Sequence, residues 1–496
     1  RPDCVDNCLM TRLIVGTFNR VEGDLEVTLE IADGRVNSAQ VNAPMYRGFE
    51  QILHGKNPHD ALVYVPRICG ICSVSQTVAA SAALADLAQL VPMPNGQIAT
   101  NLTLATENMA DHLTHFYLFF MPDFTRPIYS ARPWHAAAQE RFSAQGGEQV
   151  RAALAARQRW MTLLGTLAGK WPHTQSIDPG GSSRAIEPTE QIRLLAKVRE
   201  FRQFLERQVF AAPLEFITSL PDEDALWRWY AESSPGDAKG GDLRFFLRLV
   251  QDLALDKLGP GPGWYLSFGA YPQPTGTTAL GAGVWDAQAK ALQSVDASQI
   301  QEDLSHAWLQ GPSAHPYQGT TQPDADKAGG YTWNKAPRLN GQVIETGAIA
   351  RQLASGQPLV RDAVSRHGGT VYTRVLARLL ELATVVPMME LWLGQLRKGE
   401  AYCQPVKLPD EGRGAGLSEA ARGALGHWVV LHEGKIANYQ IVAPTSWNFS
   451  PRDSAGVPGA LEQALVDAPV QPGETTPVAV QHIVRSFDPC MVCTVH

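Results

Sequence analysis

The sequence lacks most of the features that would place it outside the ordinary globular classes. It has only 7 cysteines in 496 residues, too few for a disulfide scaffold of this length. The net charge is −7, which argues against an extended nucleic-acid-binding face, because such faces are usually basic. An uninterrupted apolar run of about 18 residues, which a transmembrane helix needs, is also missing. The most apolar stretch, 376–396, is broken by Arg378 and Pro387.

The start of the chain is not expected to be a secretory signal. Residues 1–9 lack the apolar stretch of a secretory signal, and Met10 is a natural start. We interpret residues 1–9 as an extension or a remnant of expression. Because no linker, internal repeat or low-complexity tract follows, residues 10–496 are predicted to form one large domain. A cytoplasmic location is predicted.

Hydrophobic periodicity predicts an α+β fold that is mostly helical. Alternation of apolar and polar residues predicts strands within 13–45 and 427–444. The hairpin turns are expected at Asp33-Gly34 and at Glu433-Gly434-Lys435. The Gly- and Pro-rich residues 259–280 are expected to form loops and short strands. Helices are predicted over 76–91, 97–120, 188–218, 243–258 and 359–397, the last interrupted at Pro387.

Two C-x-x-C pairs lie near opposite ends of the chain. Cys69 and Cys72 form the first pair, just before a predicted helix, and Cys490 and Cys493 form the second. Together they offer four thiolates, which suit zinc, iron–sulfur clusters or other transition metals. From the spacing alone, structural zinc is the first interpretation, redox cysteines the second, and an unusual metal centre the third.

The residues around the cysteines narrow this choice. R-I-C-G-I-C at 67–72 and D-P-C-M-V-C-T-V-H at 488–496 resemble the two signature motifs of the nickel–iron hydrogenase large subunits, R-x-C-G-x-C and D-P-C-x-x-C-x-x-H. Further segments that resemble the family lie in order along the chain, at 20–23, 47–50, 111–117, 169–173, 335–338, 422–428 and 444–448. The resemblance implies the fold of that family, with a long central helix bundle and small peripheral sheets, and one catalytic domain whose metal centre is built from both chain ends.

The resemblance implies a nickel–iron centre whose iron also carries carbon monoxide and cyanide. By motif position, Cys69 and Cys490 match terminal nickel ligands, and Cys72 and Cys493 match ligands that bridge nickel and iron. The implied reaction is heterolytic cleavage of hydrogen, H2 ⇌ 2H+ + 2e−. The terminal thiolate of Cys490 would accept the proton, and Glu22 matches the carboxylate that relays it. Outside the family, Glu22 would be interpreted as a solvated strand-edge glutamate.

Other residues match groups that surround the metals in the family. Arg422 matches an arginine suspended above the centre, where a fixed cation stabilises developing charge. Asp111 and Asp488 match the carboxylates that orient it, and Thr445 matches a hydroxyl that hydrogen-bonds a cyanide. The alternative is a set of buried structural salt bridges. The family usually has proline before the arginine, and this chain has Ala421.

A second metal, magnesium or another divalent ion, is implied near the C-terminus. Glu50 and His496 match its side-chain ligands, the carbonyl of Ile441 matches a third ligand, and Lys335 is expected just outside them. The remaining cysteines form no cluster motif. An obligate small subunit that carries iron–sulfur clusters is therefore predicted as the electron partner.

Three positions depart from the common enzyme pattern. Gln76 stands where histidine is usual, Ile71 where many members have valine, and Phe119 where many have leucine. All three resemble the hydrogen-sensing, regulatory subgroup, in which bulky residues narrow the gas channel and favour oxygen tolerance. For Ile71 and Phe119 the alternative is ordinary core packing. The resemblance to this subgroup predicts a sensor that signals to a histidine protein kinase. The alternatives are an energy-linked uptake hydrogenase and a non-catalytic hydrogenase-related scaffold.

Overall fold

The computed structural model describes residues 11–233 and 240–496. The extension predicted at 1–9, which includes Cys4 and Cys8, lies outside the described residues. In the described part of the chain, no helix is both long and apolar enough to cross a membrane.

The strands form small antiparallel sheets of two or three strands. The first sheet contains β1–β3, the second β6–β8 and the third β13–β15, while β4 pairs with β5, β9 with β12 and β10 with β11. The strands are β1 (Thr11–Gly16), β2 (Glu26–Ala32), β3 (Arg35–Asn42), β4 (Ile177–Asp178), β5 (Gly181–Ser182), β6 (Trp264–Pro272), β7 (Thr278–Asp286), β8 (Ala291–Gln293), β9 (Ile300–Asp303), β10 (Leu309–Gln310), β11 (Gln322–Pro323), β12 (Ala336–Leu339), β13 (Gly412–Ala420), β14 (Gly423–His432) and β15 (Lys435–Val442).

The helices supply most of the core. The longest of them, α4, α6, α7 and α13, pack against one another as a central bundle. The helices are α1 (Phe49–Leu53), α2 (Ala61–Tyr64), α3 (Ser73–Leu87), α4 (Pro94–Thr114), α5 (His135–Phe142), α6 (Glu148–Ala168), α7 (Pro188–Phe204), α8 (Leu214–Thr218), α9 (Glu223–Ala231), α10 (Asp242–Leu253), α11 (Ala348–Ala354), α12 (Pro358–His367), α13 (Val371–Gln395), α14 (Pro444–Asn448), α15 (Ala460–Leu465), α16 (Val478–Ser486) and α17 (Met491–Thr494).

Both predicted hairpins are confirmed. Strands β2 and β3 are joined by Asp33 and Gly34, with φ values of 51° and 70°. Strands β14 and β15 are joined by Glu433 and Gly434, with φ values of 50° and 70°. Two successive residues with positive φ give a turn whose twist matches that of the strands, and glycine accepts this conformation readily. Lys435, predicted in the second turn, is instead the first residue of β15.

The helix predictions needed correction where tertiary packing overrides the local pattern. The helix predicted over 97–120 is α4 followed by a π-helix at His115–Phe120, so Asp111, His115 and Phe119, which a regular helix would place on one face, do not lie directly above one another. Pro387 does not interrupt α13, which is continuous through it. A proline inside a helix costs about 3 kcal/mol, and burial of α13 among its neighbours offsets this cost.

Three further predictions differ from the structure in where the helices and strands begin and end. Helix α3 begins at Ser73, directly after Cys72, and not at 76. The region 188–218 is split into α7, a π-helix at Leu205–Phe210 and α8. The region 259–280 contains the whole of the nine-residue strand β6 and the first three residues of β7, in place of loops and short strands.

Helix α3 lies unusually close to strand β13. A Cβ atom at Gly416 would clash with the carbonyl oxygen of Ala79, and one at Gly414 would clash with that of Ala83. The absence of a side chain at Gly414 and Gly416 therefore lets the helix backbone approach the sheet. Since Cys72 directly precedes α3, this contact also fixes the position of one cysteine.

We expect Gly416→Ala to destabilise the protein, because the new methyl group would clash with backbone atoms of α3, which cannot rotate away as a flexible side chain can. Overpacking of a buried site typically costs about 1–3 kcal/mol, so the midpoint of thermal unfolding should fall. The matched control is Gly394→Ala, at an exposed position of α13 where a Cβ has no atom within 4 Å. This change should leave the midpoint unchanged or raise it, since alanine is favoured over glycine in helices by up to about 1 kcal/mol. Equal midpoints for the two variants would contradict the close approach of α3 and β13.

Candidate metal centre

The two cysteine pairs converge at one buried point. The Sγ atoms of Cys69 and Cys490 lie 3.4 Å apart, those of Cys72 and Cys493 3.2 Å apart, and those of Cys490 and Cys493 3.0 Å apart. All four sulfur atoms lie within 4.8 Å of one another. These separations exceed the disulfide bond length of about 2.05 Å, and the thiols are free. The structure therefore brings together four sulfur ligands from positions 421 residues apart in the chain.

The Glu22 segment holds the second pair in place. The amide of Met491 donates to the carbonyl of Glu22 at 2.7 Å, and the amide of Glu22 donates to the carbonyl of Pro489 at 3.4 Å. Gly23 follows with φ of 77°, and a Cβ there would lie 2.9 Å from Cγ1 of Val492. Glycine at position 23 is thus required by the close approach of two backbones, independently of any chemistry of the Glu22 carboxylate.

A buried carboxylate holds the first pair. Glu107 of α4 accepts hydrogen bonds from the amides of Val74 and Ser75, both at 3.0 Å, in the first turn of α3. Burial raises the pKa of Glu107 to about 8, against these hydrogen bonds. Because Cys72 immediately precedes this turn, Glu107 fixes the direction in which the Cys69–Cys72 loop enters α3. Sequence analysis did not single out Glu107, since nothing local distinguishes it from a surface glutamate.

The four thiols differ in pKa, so they differ in how readily each becomes a thiolate. Hydrogen bonds from the neighbouring thiols, that of Cys490 foremost, hold the pKa of Cys69 well below its ordinary value. Burial raises the pKa of Cys490 well above its ordinary value. Four thiolates this close in a buried site repel one another and ionise together only when a cation compensates them. The donor set therefore fits one or two soft transition-metal ions.

Arg422 lies beside the cysteines and is fixed at every nitrogen. Its Nη1 donates to Oδ2 of Asp111 at 2.8 Å, its Nη2 to Oδ1 of Asp488 at 3.1 Å, and its Nε to the carbonyl of Asp488 at 2.9 Å. All three residues are buried. The structure thus brings together the three residues that the sequence predicted as one group.

The backbone before Arg422 is held by an arginine that sequence analysis missed. Arg351 donates to the carbonyls of Ala420 and Ala421, at 2.8 and 2.9 Å. It also forms ion pairs with Glu381 and Glu419, at 2.7 and 2.8 Å. Arg351 stands in an alanine-rich helix with no local partner, so no sequence signal points to this contact. It stabilises the β13–β14 turn from which Arg422 projects.

Glu22 and Thr445 also lie at the centre. Burial and the charge of Cys69 raise the pKa of the Glu22 carboxyl, while Arg422 opposes this. A raised pKa makes a carboxyl a better proton acceptor, which suits a proton relay. The hydroxyl oxygen of Thr445 accepts a hydrogen bond from the amide of Cys490 at 3.1 Å.

A second polar site surrounds the C-terminal histidine. Nε2 of His496 lies 3.2 Å from Oε1 of Glu50, and the amide of Ile441 donates to the same oxygen at 2.9 Å. Nζ of Lys335 lies 3.1 Å from Oε2 of Glu50. Lys335 and His496 lower the pKa of Glu50 to about 2, although burial raises it.

Two further residues of this site were not predicted. Lys335 also donates to Oε1 of Gln440 at 2.6 Å and lies 3.4 Å from Oε2 of Glu302. Two carboxylates, at Glu50 and Glu302, thus face one ammonium group, and oxygen ligands suit a hard divalent ion. Gln440 could have been found from its place beside Ile441 in the predicted hairpin, whereas no local pattern distinguishes Glu302.

The three residues that depart from the common pattern occupy different surroundings. Gln76 is buried, and its Nε2 donates to Sγ of Cys493 at 3.9 Å. Ile71 is partly buried and packs against the apolar cluster that contains all four cysteines. Phe119 lies on the π-helix with its side chain partly exposed, and its carbonyl accepts a hydrogen bond from Arg20 at 3.2 Å.

Comparison with known proteins identifies this arrangement. A family model described as nickel-dependent hydrogenase matches residues 47–146 and 242–496. The chain is 28% identical to the periplasmic NiFeSe hydrogenase large subunit of Desulfomicrobium baculatum, over 98% of this chain and 95% of the relative. It is 28% identical to the Hydrogenase-1 large chain of Escherichia coli (strain K12), with the same two coverages. The solved structure of H2-activated NiFeSe hydrogenase from D. baculatum superimposes with a TM-score of 0.84, covering 98% of this chain and 100% of that chain at 28% identity.

The family match spans more than half of the chain, so the chain belongs to the nickel-dependent hydrogenase family. It has the hydrogenase large-subunit fold, as predicted. It is an oxidoreductase that acts on H2, and its four-cysteine centre is the nickel–iron active site. Structural zinc, the first interpretation from cysteine spacing alone, is therefore wrong, because spacing carries no information about the distant residues that surround the thiols.

Proposed function

We propose that this chain is the H2-cleaving large subunit of an oxygen-tolerant, hydrogen-sensing hydrogenase that signals to a histidine protein kinase from the cytoplasm. The observation that carries H2 cleavage is the fully buried four-thiol centre with Arg422 fixed beside it. The sensor role is supported by Gln76, Ile71 and Phe119, which depart together from the common enzyme pattern.

Each residue of the centre has its own role in the proposed reaction. When bound, the nickel–iron centre, with carbon monoxide and cyanide on its iron, supplies heterolytic cleavage of H2 into protons and electrons. The thiolate of Cys490 accepts a proton and Glu22, on the adjoining segment, relays it outward. Arg422 presents a fixed cation, held by Asp111 and Asp488, where charge develops. Thr445 is proposed to orient a cyanide through its hydroxyl group, whose oxygen accepts a hydrogen bond from the amide of Cys490.

The second site is proposed to bind magnesium or another divalent ion through Glu50, His496 and the carbonyl of Ile441. Lys335 lies in the surrounding shell together with Glu302. A cation here neutralises the excess carboxylate charge and ties the last residue to α1. This site therefore contributes to the position of Cys493, whose carbonyl lies 2.5 Å from Nδ1 of His496.

Electrons must leave through another chain. Among the described residues, Cys403 is the one cysteine outside the four-thiol centre, which leaves no set of thiols for an iron–sulfur cluster there. We propose an obligate small subunit that carries such clusters, with an extensive interface. A large subunit fully active with dyes in the absence of a partner would contradict this proposal.

An energy-linked uptake hydrogenase is the second candidate. The specific observation in its favour is the 26% identity to the uptake hydrogenase large subunit of Afipia carboxidovorans, over 98% of this chain and 95% of the relative. Slow H2 turnover with a dye acceptor that persists in air favours the sensor, and fast turnover favours the uptake enzyme. A non-catalytic scaffold is disfavoured by the presence of all four cysteines.

The first prediction for this function concerns the metal itself. Purified wild-type protein with its partner should contain nickel and show infrared bands of iron-bound carbon monoxide and cyanide. Cys493→Ser should lose most of its nickel, because it removes one of the four sulfur ligands of the centre. Cys403→Ser is the matched control, since this cysteine lies outside the centre and should keep both nickel and bands. Correctly matured wild-type protein that contains no nickel would refute both hydrogenase proposals.

The second prediction concerns proton transfer. Glu22→Gln keeps the shape of the side chain but cannot relay a proton, so H/D exchange should fall by about 10²–10⁴-fold, with nickel content unchanged. Glu30→Gln, at an exposed position of β2, is the control and should exchange normally. Near-normal exchange in Glu22→Gln would mean that the proton leaves by another route.

The third prediction concerns gas access. Ile71→Val with Phe119→Leu removes side-chain volume, and a packed interior only partly closes such a space. H2 oxidation should become more oxygen-sensitive with little change in the anaerobic rate, at a stability cost of roughly 1–3 kcal/mol. Because Ile71 packs in the cluster around the cysteines while Phe119 is partly exposed, Ile71→Val alone should produce most of the effect. Full activity of the double variant in air would mean that both residues contribute only to core packing and do not limit the access of oxygen.

A further inference from the structure

A chain of three buried side chains ends at the sulfur of Cys493. The hydroxyl of Tyr439 lies 2.8 Å from Nδ1 of His427, and Nε2 of His427 lies 2.8 Å from Oε1 of Gln76. Nε2 of Gln76 then donates to Cys493 Sγ at 3.9 Å. Gln76, His427 and Tyr439 are exposed by only 1%, 0% and 2%. Bulk water therefore does not compete for any of these hydrogen bonds.

The imidazole of His427 carries a single proton. The ring is fully buried and its two nitrogens face uncharged partners, the Tyr439 hydroxyl and the Gln76 amide, and burial without a counter-charge favours the neutral imidazole. One ring nitrogen then donates and the other accepts. Tyr439 can serve either nitrogen, because a phenol both donates and accepts a hydrogen bond.

The hydrogen bonds of this series can therefore run in two directions, from Tyr439 toward Cys493 or the reverse. The sulfur atom at the end of the series selects one of them. If Tyr439 donates to Nδ1, then Nε2 carries the proton and donates to the carbonyl oxygen of Gln76. The amide nitrogen of Gln76 then faces Cys493. In the opposite direction, the amide carbonyl of Gln76 would face a thiolate, and two electron-rich atoms would meet in a buried site. A metal-bound thiolate only accepts, so the first direction is favoured.

We propose that His427, supported by Tyr439, is a positioning residue that holds the Gln76 amide with its N–H toward Cys493 and thereby lowers the electron density on that sulfur. Hydrogen bonds to ligating sulfur atoms tune the electronic properties of the metals they hold. The inference rests on the proposed function, because its effect is transmitted through the nickel–iron centre. His427 touches neither the sulfur nor the metals, so it acts only through Gln76.

The infrared band of iron-bound carbon monoxide provides the test in the complete, metal-loaded complex. A ligating thiolate that loses a hydrogen bond would donate more electron density to iron, which would weaken the C–O bond and lower its stretching frequency. We expect Gln76→Leu and His427→Leu to shift the band to lower frequency. The double variant should match Gln76→Leu alone, because His427 has no separate route to the metals.

Conservative variants keep the test independent of simple loss of structure. His427→Gln keeps an amide N–H near the place of Nε2, so its band should remain near the wild-type frequency. Tyr439→Phe removes only the buried hydroxyl and should give a smaller shift in the same direction as His427→Leu. If His427→Leu fails to load metal, Tyr439→Phe decides the question.

Several outcomes would overturn the inference. One is a wild-type band position in His427→Leu or, where that variant does not load, in Tyr439→Phe. Others are additive shifts in the double variant, or a shift in His427→Gln as large as that in His427→Leu. The absence of carbon monoxide and cyanide bands from the wild-type protein would instead overturn the proposed function, and this inference with it.

Discussion

Attachment of the C-terminal segment to the rest of the chain is the constraint on which the site depends. Asp488 binds Arg422, the amide of Cys490 donates to Thr445, and the amide of Met491 donates to the carbonyl of Glu22. Closing such a long loop costs little more than closing a moderate one, because loop entropy grows only with the logarithm of length. The many contacts of a short segment can therefore bring both cysteine pairs together, although the chain between them is more than four hundred residues long.

Buried charge is concentrated around this segment and is paired. Arg485 donates to Asp123 at 2.7 Å, and Arg422 donates to Asp111 and Asp488 at 2.8 and 3.1 Å. Buried ion pairs contribute little net stability, because desolvation of the charges is costly, but breaking one leaves an uncompensated charge. Their effect here is to exclude other arrangements of the backbone near the metals. The catalytic geometry is specified by polar contacts, while the surrounding apolar core supplies the stability.

The parts of the structure that could be predicted from sequence are those with local signals. The Asp33-Gly34 and Glu433-Gly434 turns follow from backbone preferences, and the cysteine motifs identify the family. Strand β13 was missed because its Gly-rich sequence has no apolar alternation, and its glycines reflect a helix more than three hundred residues away. Arg351, Glu107 and Glu302 were missed for a related reason, since their partners lie on other elements. His427 and Tyr439 could have been paired, because the predicted hairpin makes them diagonal neighbours on one face of the sheet.

The π-helix at His115–Phe120 has a consequence for the evolution and engineering of the chain. A π-helix accommodates a surplus residue relative to regular α-helix, so deletion of one residue there would restore the ordinary repeat. Each residue of an α-helix turns the chain by about 100°, and the wider turn of the π-helix absorbs the surplus residue, so the segment that follows keeps nearly the orientation it would have without that residue. A change of one residue in length is therefore absorbed locally at this position. Loss of a residue should be tolerated better here than in the regular turns of α4, where it would rotate everything that follows against its neighbours.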